Sequence, residues 1–487
     1  MLFSSITFLL FFFPTVLILY YILPSIVYRN TVLLVFSLFF YAWGEPKYVL
    51  LMLASIVFNY NAGLFIVKNS SFKKKKVVLA IAVLVNLSVL FVFKYLGFSE
   101  YIVNTMLRTL HLKQLSVIKL IMPIGISFYT FQEISYLVDV YRKPESVQKD
   151  VLKLGLYIAF FPQLIAGPIV RYHDIIEQIE QRSHSAEKFA TGMERFIIGL
   201  SKKTLLANAF ALVCDKIYDA NIFHYGAYEA WIACLAYSLQ IYYDFSGYSD
   251  MAIGLAKMFG FDLQENFNYP YAASSITDFW KRWHISLTNF FRDYLYIPLG
   301  GNRKGKNRTV LNRFIVFFTT GLWHGAAFNF ILWGIGHGVL MTIERFKIKN
   351  VKTGGGTRLS QLVSLLPRLY TLICVSFLWV LFRNGTKKTV KLFLKMFGIN
   401  YTIFTNQVHE INIDPFLRMY IDNKFFILVF IGIMFSFPWW HRMPRLESKY
   451  VKIMVLCGKY LVLLFLFVLS YSSLASNSYN PFIYFRF

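Results

Sequence analysis

The sequence predicts an all-α protein that crosses a membrane many times. Of its 487 residues, 57% are hydrophobic and only 15% are charged, and the mean hydropathy is +0.51. Soluble domains carry about 25% charged residues, so a soluble chain of this composition would have too little polar surface to stay dispersed. The composition therefore indicates a polytopic membrane protein, with residues 1–487 forming a single integral-membrane domain.

Segments without charge mark the predicted spans. A helix that crosses a bilayer needs about 20 predominantly apolar residues, and windows that approach or exceed this length recur along the chain. The windows are residues 1–28, 30–44, 48–67, 77–93, 154–170, 314–343, 369–382, 425–440 and 460–485. Together with less pure runs near 117–141, 190–214 and 227–257, they predict roughly 10 to 13 helices, some of them short or re-entrant.

The excess of positive charge fits this topology. The chain has 50 Lys and Arg against 25 Asp and Glu, a net charge of +25. Because these basic residues lie between apolar runs, they indicate cytoplasmic loops beside an anionic lipid surface and not a nucleic-acid partner. The predicted cytoplasmic groups are Arg29, Lys73 to Lys76, Arg142 with Lys143, Lys202 with Lys203, Arg303 to Arg313, Arg345 to Lys352 and Arg442 to Lys452. This arrangement places both termini in the extracellular or periplasmic space.

Residues 258–313 mix aromatic and charged side chains and do not form simple spans. Amphipathic segments rich in Trp, Phe and basic residues usually lie in the membrane interface. We therefore expect a re-entrant or interfacial layer here, on the cytoplasmic side, that leads into an apolar helix over residues 314–343.

The helix over 314–343 holds two histidines in thirty positions without Asp, Glu, Lys or Arg. An ionisable group at membrane depth is costly and points to function, and histidine exchanges protons near neutral pH. On one continuous helix, His324 and His337 would lie about 20 Å apart along the axis, although a break at Gly334, Gly336 or Gly338 would relax this limit. We therefore expect one of them to react and the other to be structural or to line a path. The alternative for His324 is a buried histidine with a purely structural hydrogen bond.

His284 is a further candidate, in the segment DFWKRWHISL beside Trp283. It would either lie at the mouth of a cavity that ends at His324, or belong to an interfacial aromatic belt.

Asp244 lies in an apolar segment rich in Tyr and Ser. It would line a polar funnel for substrate, or form part of a buried network that holds the helices together. Six other histidines lie in loops or at span ends and are expected at the surface: His111, His173, His184, His224, His409 and His441. The sequence has no HExxH metal motif and no GxSxG serine motif, and no metal site is predicted.

Several long motifs in order resemble the membrane-bound O-acyltransferase (MBOAT) superfamily, and within it the bacterial alginate-acetylase type. They are FYAWGEPKY at 40–48, MPIGISFYTFQEISYLVDVYR at 122–142, FFPQLIAGPIVRY at 160–172, QIYYDFSGYSDMAIG at 240–254, NFNYPYAASSITDFWKRWHISL at 266–287 and GLWHGAAFNFILWG at 321–334. The resemblance covers nearly the whole chain. It implies a fold of transmembrane and re-entrant helices around a central tunnel.

The resemblance also implies a function. His324 would be the catalytic histidine and His284 the second histidine of the pocket, with Trp323, Trp283, Asp244 and His337 along the substrate path. The donor would be a cytoplasmic thioester, most simply acetyl-CoA used as a co-substrate, with no bound cofactor. The acceptor would be a hydroxyl of an extracellular or periplasmic polysaccharide, such as alginate, peptidoglycan or another wall polymer. A secreted SGNH-type esterase-like partner often relays the acetyl group in such systems, and the location would be the bacterial cytoplasmic membrane.

Two other functions remain open at this point. A D-alanyl transferase that acts on teichoic acid would use a carrier-protein thioester instead of acetyl-CoA. A transporter or flippase would be built from pseudo-symmetric halves with broken helices in matching positions.

Overall fold

The computed structural model describes residues 1–116, 120–347, 365–399, 415–439, 448–476 and 479–483. Within these ranges the regular structure is helical and contains no β-strand, which confirms the predicted all-α class. Most of the basic segments 345–352 and 442–452, together with His409 and His441, lies outside the described residues. The chain divides into two compact units, Met1–Phe196 with Tyr248–Glu265, and Ile197–Gly247 with Asn266–Phe487.

The first unit is built mainly from the N-terminal helices. They are α1 (Phe13–Ile22), α2 (Ile26–Gly44), α3 (Tyr48–Lys68), α4 (Phe72–Leu90), α5 (Leu96–Thr109), α6 (Ile126–Arg142), α7 (Val151–Ala159), α8 (Phe161–Leu164) and α9 (Tyr172–Glu180). Single π-helical turns at Phe8–Phe12 and Phe91–Tyr95 run directly into α1 and α5. Helices α10 (Ala186–Ser201) and α12 (Ala227–Met258) contribute residues to both units.

The second unit contains the remaining helices. They are α11 (Asn208–Asp219), α13 (Ile276–Arg282), α14 (Ile285–Phe291), α15 (Gly305–His324), α16 (Phe328–Lys347), α17 (Leu366–Arg383), α18 (Thr386–Met396), α19 (Pro415–Arg418), α20 (Asn423–Phe435) and α21 (Lys449–Ser476). Its core is a large aromatic cluster that includes Trp280, Trp283, Trp333 and Trp379.

Six helical segments in the described residues are long and apolar enough to cross a bilayer. They are Ile26–Gly44, Tyr48–Lys68, Phe72–Thr109, Ala186–Asp219, Leu366–Arg383 and Tyr450–Ser476. Two shorter apolar segments, Phe8–Ile22 and Asn423–Phe435, accompany them. The protein is therefore a multi-pass membrane protein, as its composition predicts. The window at 154–170 differs from the expected span, because α7 ends at Ala159 and Pro162 lies in the separate short helix α8.

The single helix expected over 314–343 is instead a hairpin of two helices. Helix α15 ends at His324, and α16 begins at Phe328. At Gly321 an added Cβ would lie 2.4 Å from the carbonyl oxygen of Phe330, and at Gly334 it would lie 2.2 Å from that of Phe317. Real side chains do not approach so closely, so only glycine lets the two backbones meet here.

The segment 258–313 contains only short helices before α15. Helices α13 and α14 have seven residues each, about 10 Å of rise, which is too short to cross a bilayer. This agrees with a segment that does not form simple spans, and its position on the cytoplasmic side stays a prediction.

The backbone contact in the hairpin predicts that Gly334→Ala destabilises the protein. The new methyl group would displace a main-chain carbonyl, and overpacking of this kind costs about 1–3 kcal/mol. Thermal unfolding of the purified protein in detergent should show a lower midpoint. Gly338→Ala is the matched control in the same helix, since its Cβ would meet its nearest atom at an ordinary 3.4 Å. Equal midpoints for the two variants would contradict the backbone contact.

Candidate functional site

A small cavity of about 10 Å³, room for about one water molecule, lies inside the second unit, and His324 forms part of its wall. The lining residues are Ile241, Phe245, Trp283, His324, Trp379, Phe382 and Ile483. Among these lining residues, His324 is the only one with an ionisable side chain. The cavity is therefore an apolar chamber with one group able to exchange a proton.

His324 lies in an aromatic cage. Its ring is 4.9 Å from Trp323, 5.0 Å from Trp333 and 5.2 Å from Phe382, each in an edge-to-face arrangement. The residue is 6% exposed, and both nitrogens of its ring are buried. His324 is also the last residue of α15, where the backbone N–H of Gly325 donates to the carbonyl of Gly321. The negative end of a helix dipole favours a positive charge at this position.

The chain can turn at this point because Gly325 has no side chain. A Cβ there would lie 2.2 Å from the ring of Phe330. The turn brings His324 and His337 against the same indole, since Trp333 lies 5.0 Å from each imidazole. The separation of about 20 Å between His324 and His337, which a continuous helix would impose, therefore does not apply.

His337 is fully buried and does not line the cavity. Trp280 Nε1 donates a hydrogen bond to its Nδ1 at 3.2 Å. Because Nδ1 accepts, the proton of the neutral ring is on Nε2. Phe279 stacks on the imidazole at 6.2 Å, so His337 is held inside the aromatic core.

His284 is also fully buried, which does not fit an interfacial belt. It is not among the residues that line the cavity. Its ring instead contacts the cavity residue Phe245 at 4.7 Å and Trp323 at 5.8 Å. Trp323 therefore lies between the two histidines without lining the cavity, while Trp283 lines it.

The hydrogen bonds of Asn266 fix the tautomer of His284. Asn266 Oδ1 accepts from the backbone N–H of Ser286 at 3.3 Å and from its hydroxyl at 2.8 Å. This atom is therefore an oxygen, and His284 Nδ1 must donate to it, at 3.0 Å. The remaining nitrogen, Nε2, is buried and has no hydrogen-bond partner in the described part of the chain. In this tautomer Nε2 carries no proton, so its lone pair can accept one.

The backbone at His284 is left-handed, with φ 45° and ψ 53°. Such a conformation is uncommon for a residue other than glycine and is concentrated at functional sites. No pattern in the sequence predicts this backbone conformation.

Asp244 does not line the cavity but supports one of its walls. It forms a fully buried ion pair with Lys203, with 2.8 Å between Oδ1 and Nζ. Asp244 Oδ2 also accepts from the backbone N–H of Ile483 at 2.8 Å, and Lys203 donates to the carbonyl of Pro481. The pair therefore fixes the C-terminal segment that places Ile483 on the cavity wall.

Five lining residues were not expected from the sequence: Ile241, Phe245, Trp379, Phe382 and Ile483. They come from α12, α17 and the C-terminal segment. Each lies in an apolar stretch, where the sequence does not distinguish a side chain that lines a cavity from one that packs in the core.

Comparison with known proteins agrees with this architecture. The model of the family described as MBOAT, membrane-bound O-acyltransferase family, matches residues 142–383. The probable alginate O-acetylase AlgI of Pseudomonas putida is 37% identical over the full length of both chains. The chain belongs to the membrane-bound O-acyltransferase family. Like its named relatives, this family member is an acyltransferase.

Two other relatives carry different names. The peptidoglycan O-acetyltransferase of Helicobacter pylori is 33% identical over 90% of this chain and 86% of its own. The teichoic acid D-alanyltransferase of Bacillus subtilis is 32% identical, over 47% of this chain and 60% of its own. The two O-acetyltransferases thus resemble this family member over far more of its length.

The buried ion pair predicts that Lys203→Met strongly destabilises the second unit. Removal of one partner leaves an uncompensated buried charge, at a cost of about 3–5 kcal/mol. Detergent-solubilised protein should unfold at a lower temperature and give less monodisperse material on size exclusion. The double variant Lys203→Met/Asp244→Leu, which removes both charges, should be more stable than Lys203→Met alone. A double variant that is less stable would show that the pair is not coupled.

His284→Asn keeps a residue that tolerates the left-handed backbone but removes the imidazole, so it tests the side chain separately from the backbone conformation. Asparagine tolerates the left-handed conformation, so the variant should fold with a nearly unchanged unfolding midpoint. We expect its acyl transfer to fall by a factor of about 100 or more, as for loss of a general acid or base. Transfer at the wild-type rate would leave His284 a structural residue.

Proposed function

We propose that this family member transfers an acetyl group from a cytoplasmic thioester, most simply acetyl-CoA, to hydroxyl groups of an extracellular or periplasmic polysaccharide. The observation that supports this proposal most strongly is the position of His324. It is the single ionisable side chain on the wall of the apolar cavity, on a helix end that favours positive charge.

His324 acts as the general base. Its neutral imidazole takes the proton of the acceptor hydroxyl while that oxygen attacks the thioester carbonyl carbon. The new C–O ester bond forms as the C–S bond breaks, and the thiolate leaves with a proton returned from the imidazolium. The cage of Trp323, Trp333 and Phe382 excludes water, so the thioester is protected from hydrolysis.

His284 has a different part in this proposal. Because its Nδ1 donates to Asn266, the neutral ring presents only an acceptor at Nε2. It therefore fits a second proton acceptor better than a group that polarises the donor carbonyl.

The lining of the cavity favours an acetyl group over a D-alanyl group. A D-alanyl ester carries an ammonium, and burial of such a charge without a partner is costly. The residues that line the cavity include no carboxylate. The full-length match to an alginate O-acetylase, against a half-length match to a D-alanyltransferase, points the same way.

The acceptor, the setting and the partner complete the proposal. The printed names of relatives support alginate or peptidoglycan as the acceptor class. The cationic loops support a bacterial cytoplasmic membrane with both termini outside, and a secreted SGNH-type protein would carry the acetyl group onward.

His324→Gln should lower polysaccharide acetylation by a factor of about 10² to 10⁴, because the variant lacks the base but keeps similar volume. The measurement is ester-linked acetate released from the extracellular polysaccharide by mild alkali, in cells where the variant replaces the chromosomal gene. His111→Asn is the control, since His111 is exposed and has a left-handed backbone that asparagine tolerates. Normal acetylation by His324→Gln at equal protein level would refute the base assignment.

The donor is tested with purified protein in detergent. Wild-type protein should release thiol from acetyl-CoA in the presence of acceptor, and should not turn over D-alanyl carrier protein. The opposite preference would select the D-alanyl transferase.

A further inference from the structure

Two arginines of the first unit meet without an acidic partner among the residues that the structure describes. Arg29 lies in the first turn of α2, and Arg182 lies between α9 and α10. Arg29 Nη1 is 3.2 Å from His184 Nδ1, and Arg182 Nε is 3.0 Å from the hydroxyl of Tyr20. Both guanidinium groups also lie over the ring of Tyr20, at 5.2 and 5.7 Å from its centroid.

The hydrogen bonds of this cluster assign every proton. Arginine only donates, so His184 Nδ1 accepts from Arg29 and the imidazole proton is on Nε2. Nε2 then donates to the Tyr20 oxygen at 2.7 Å, and the Tyr20 hydroxyl donates to the carbonyl of Phe259 at 2.6 Å. The histidine is therefore neutral and brings no charge that could offset the arginines.

The positive charge of the cluster is not neutralised. In the described part of the chain, the acceptors of Arg182 are all neutral: the Tyr20 hydroxyl, the carbonyls of Phe259 and Gln178, and the side chain of Asn30. Arg29 Nε and Arg182 Nη2 have no hydrogen-bond partner within the described ranges. Burial and the two arginines lower the pKa of His184 to about 4, as expected in a positive field.

The other charged groups near the cluster do not change this balance. Lys188 adds to the positive field at His184, but it is paired with Asp262 at 2.6 Å. Arg29, Arg182 and His184 are each partly exposed, so the cluster lies at the surface of the first unit.

The surroundings of the cluster favour a lipid over a soluble anion. The ends of α1 and α2 beside it carry apolar side chains that face outward: Ile18 at 65%, Ile22 at 57%, Leu23 at 47% and Val27 at 69% exposure. Tyrosine is enriched at membrane interfaces, and Tyr20 and Tyr21 lie at the end of α1 beside the cluster. A basic cluster beside such helix ends suits a phosphate head group whose acyl chains cover the apolar side chains.

We propose that Arg29 and Arg182, beside His184, bind the phosphate of an anionic phospholipid head group, with the acyl chains against the exposed ends of α1 and α2. Arginine suits this task because its planar guanidinium pairs with two phosphate oxygens. The site lies in the first unit and does not depend on the proposed acetyl transfer.

The test uses the full-length protein in a neutral detergent, with soluble short-chain lipids as probes. Dioctanoyl phosphatidylglycerol should raise the unfolding midpoint in a saturable manner, and dioctanoyl phosphatidylcholine should not. Arg29→Gln/Arg182→Gln should weaken this effect at least tenfold. Lys73→Gln/Lys74→Gln removes the same charge from exposed positions and should leave it unchanged.

The other outcomes contradict the proposal. If inorganic phosphate or coenzyme A protects the protein as well as phosphatidylglycerol does, the site takes a soluble phosphate. If phosphatidylglycerol raises the unfolding midpoint of the arginine and lysine double variants equally, the stabilisation reflects general surface charge.

A measurement on the wild-type protein covers the case in which the arginine variants do not fold. NMR of ¹³C-labelled histidine, with His184 assigned by His184→Gln, should show its pKa rise above about 4 when phosphatidylglycerol binds. An unchanged pKa at saturating lipid would overturn the assignment.

Discussion

Helices α15 and α16 meet backbone to backbone, and the position of His324 in the second unit depends on that contact. Gly321 and Gly334 let the two main chains approach, because any side chain at either position would collide with a carbonyl oxygen. The approach forces a turn directly after His324. As a result the imidazole stands at a helix end beside a cavity, and Trp333 from the returning helix closes the cage around it.

The sequence predicted the class of the protein. Low charge and long apolar windows sufficed for a multi-pass helical protein, and a histidine without nearby charges made His324 the first candidate for the site. His324 and Trp283 both lie on the cavity wall. These predictions depend on local composition, which a single sequence records directly.

The turn at Gly325 and the support of the cavity wall could not be predicted in the same way. Residues 314–343 are apolar throughout, so hydrophobic periodicity holds no sign of a break. Asp244 meets Lys203 through tertiary folding, and nothing near either residue in the sequence marks the pair. His284 was found by its motif, but its burial and left-handed backbone follow from contacts with Asn266 and Phe245.

The wall position of Ile483 has a genetic consequence. A nonsense mutation just after Ser476 would leave every described helix encoded, because α21 ends there. The truncated product would nevertheless lack Ile483 on the chamber and the main-chain groups that Asp244 and Lys203 hold. The product of such an allele would still insert into the membrane, but its cavity wall would be incomplete.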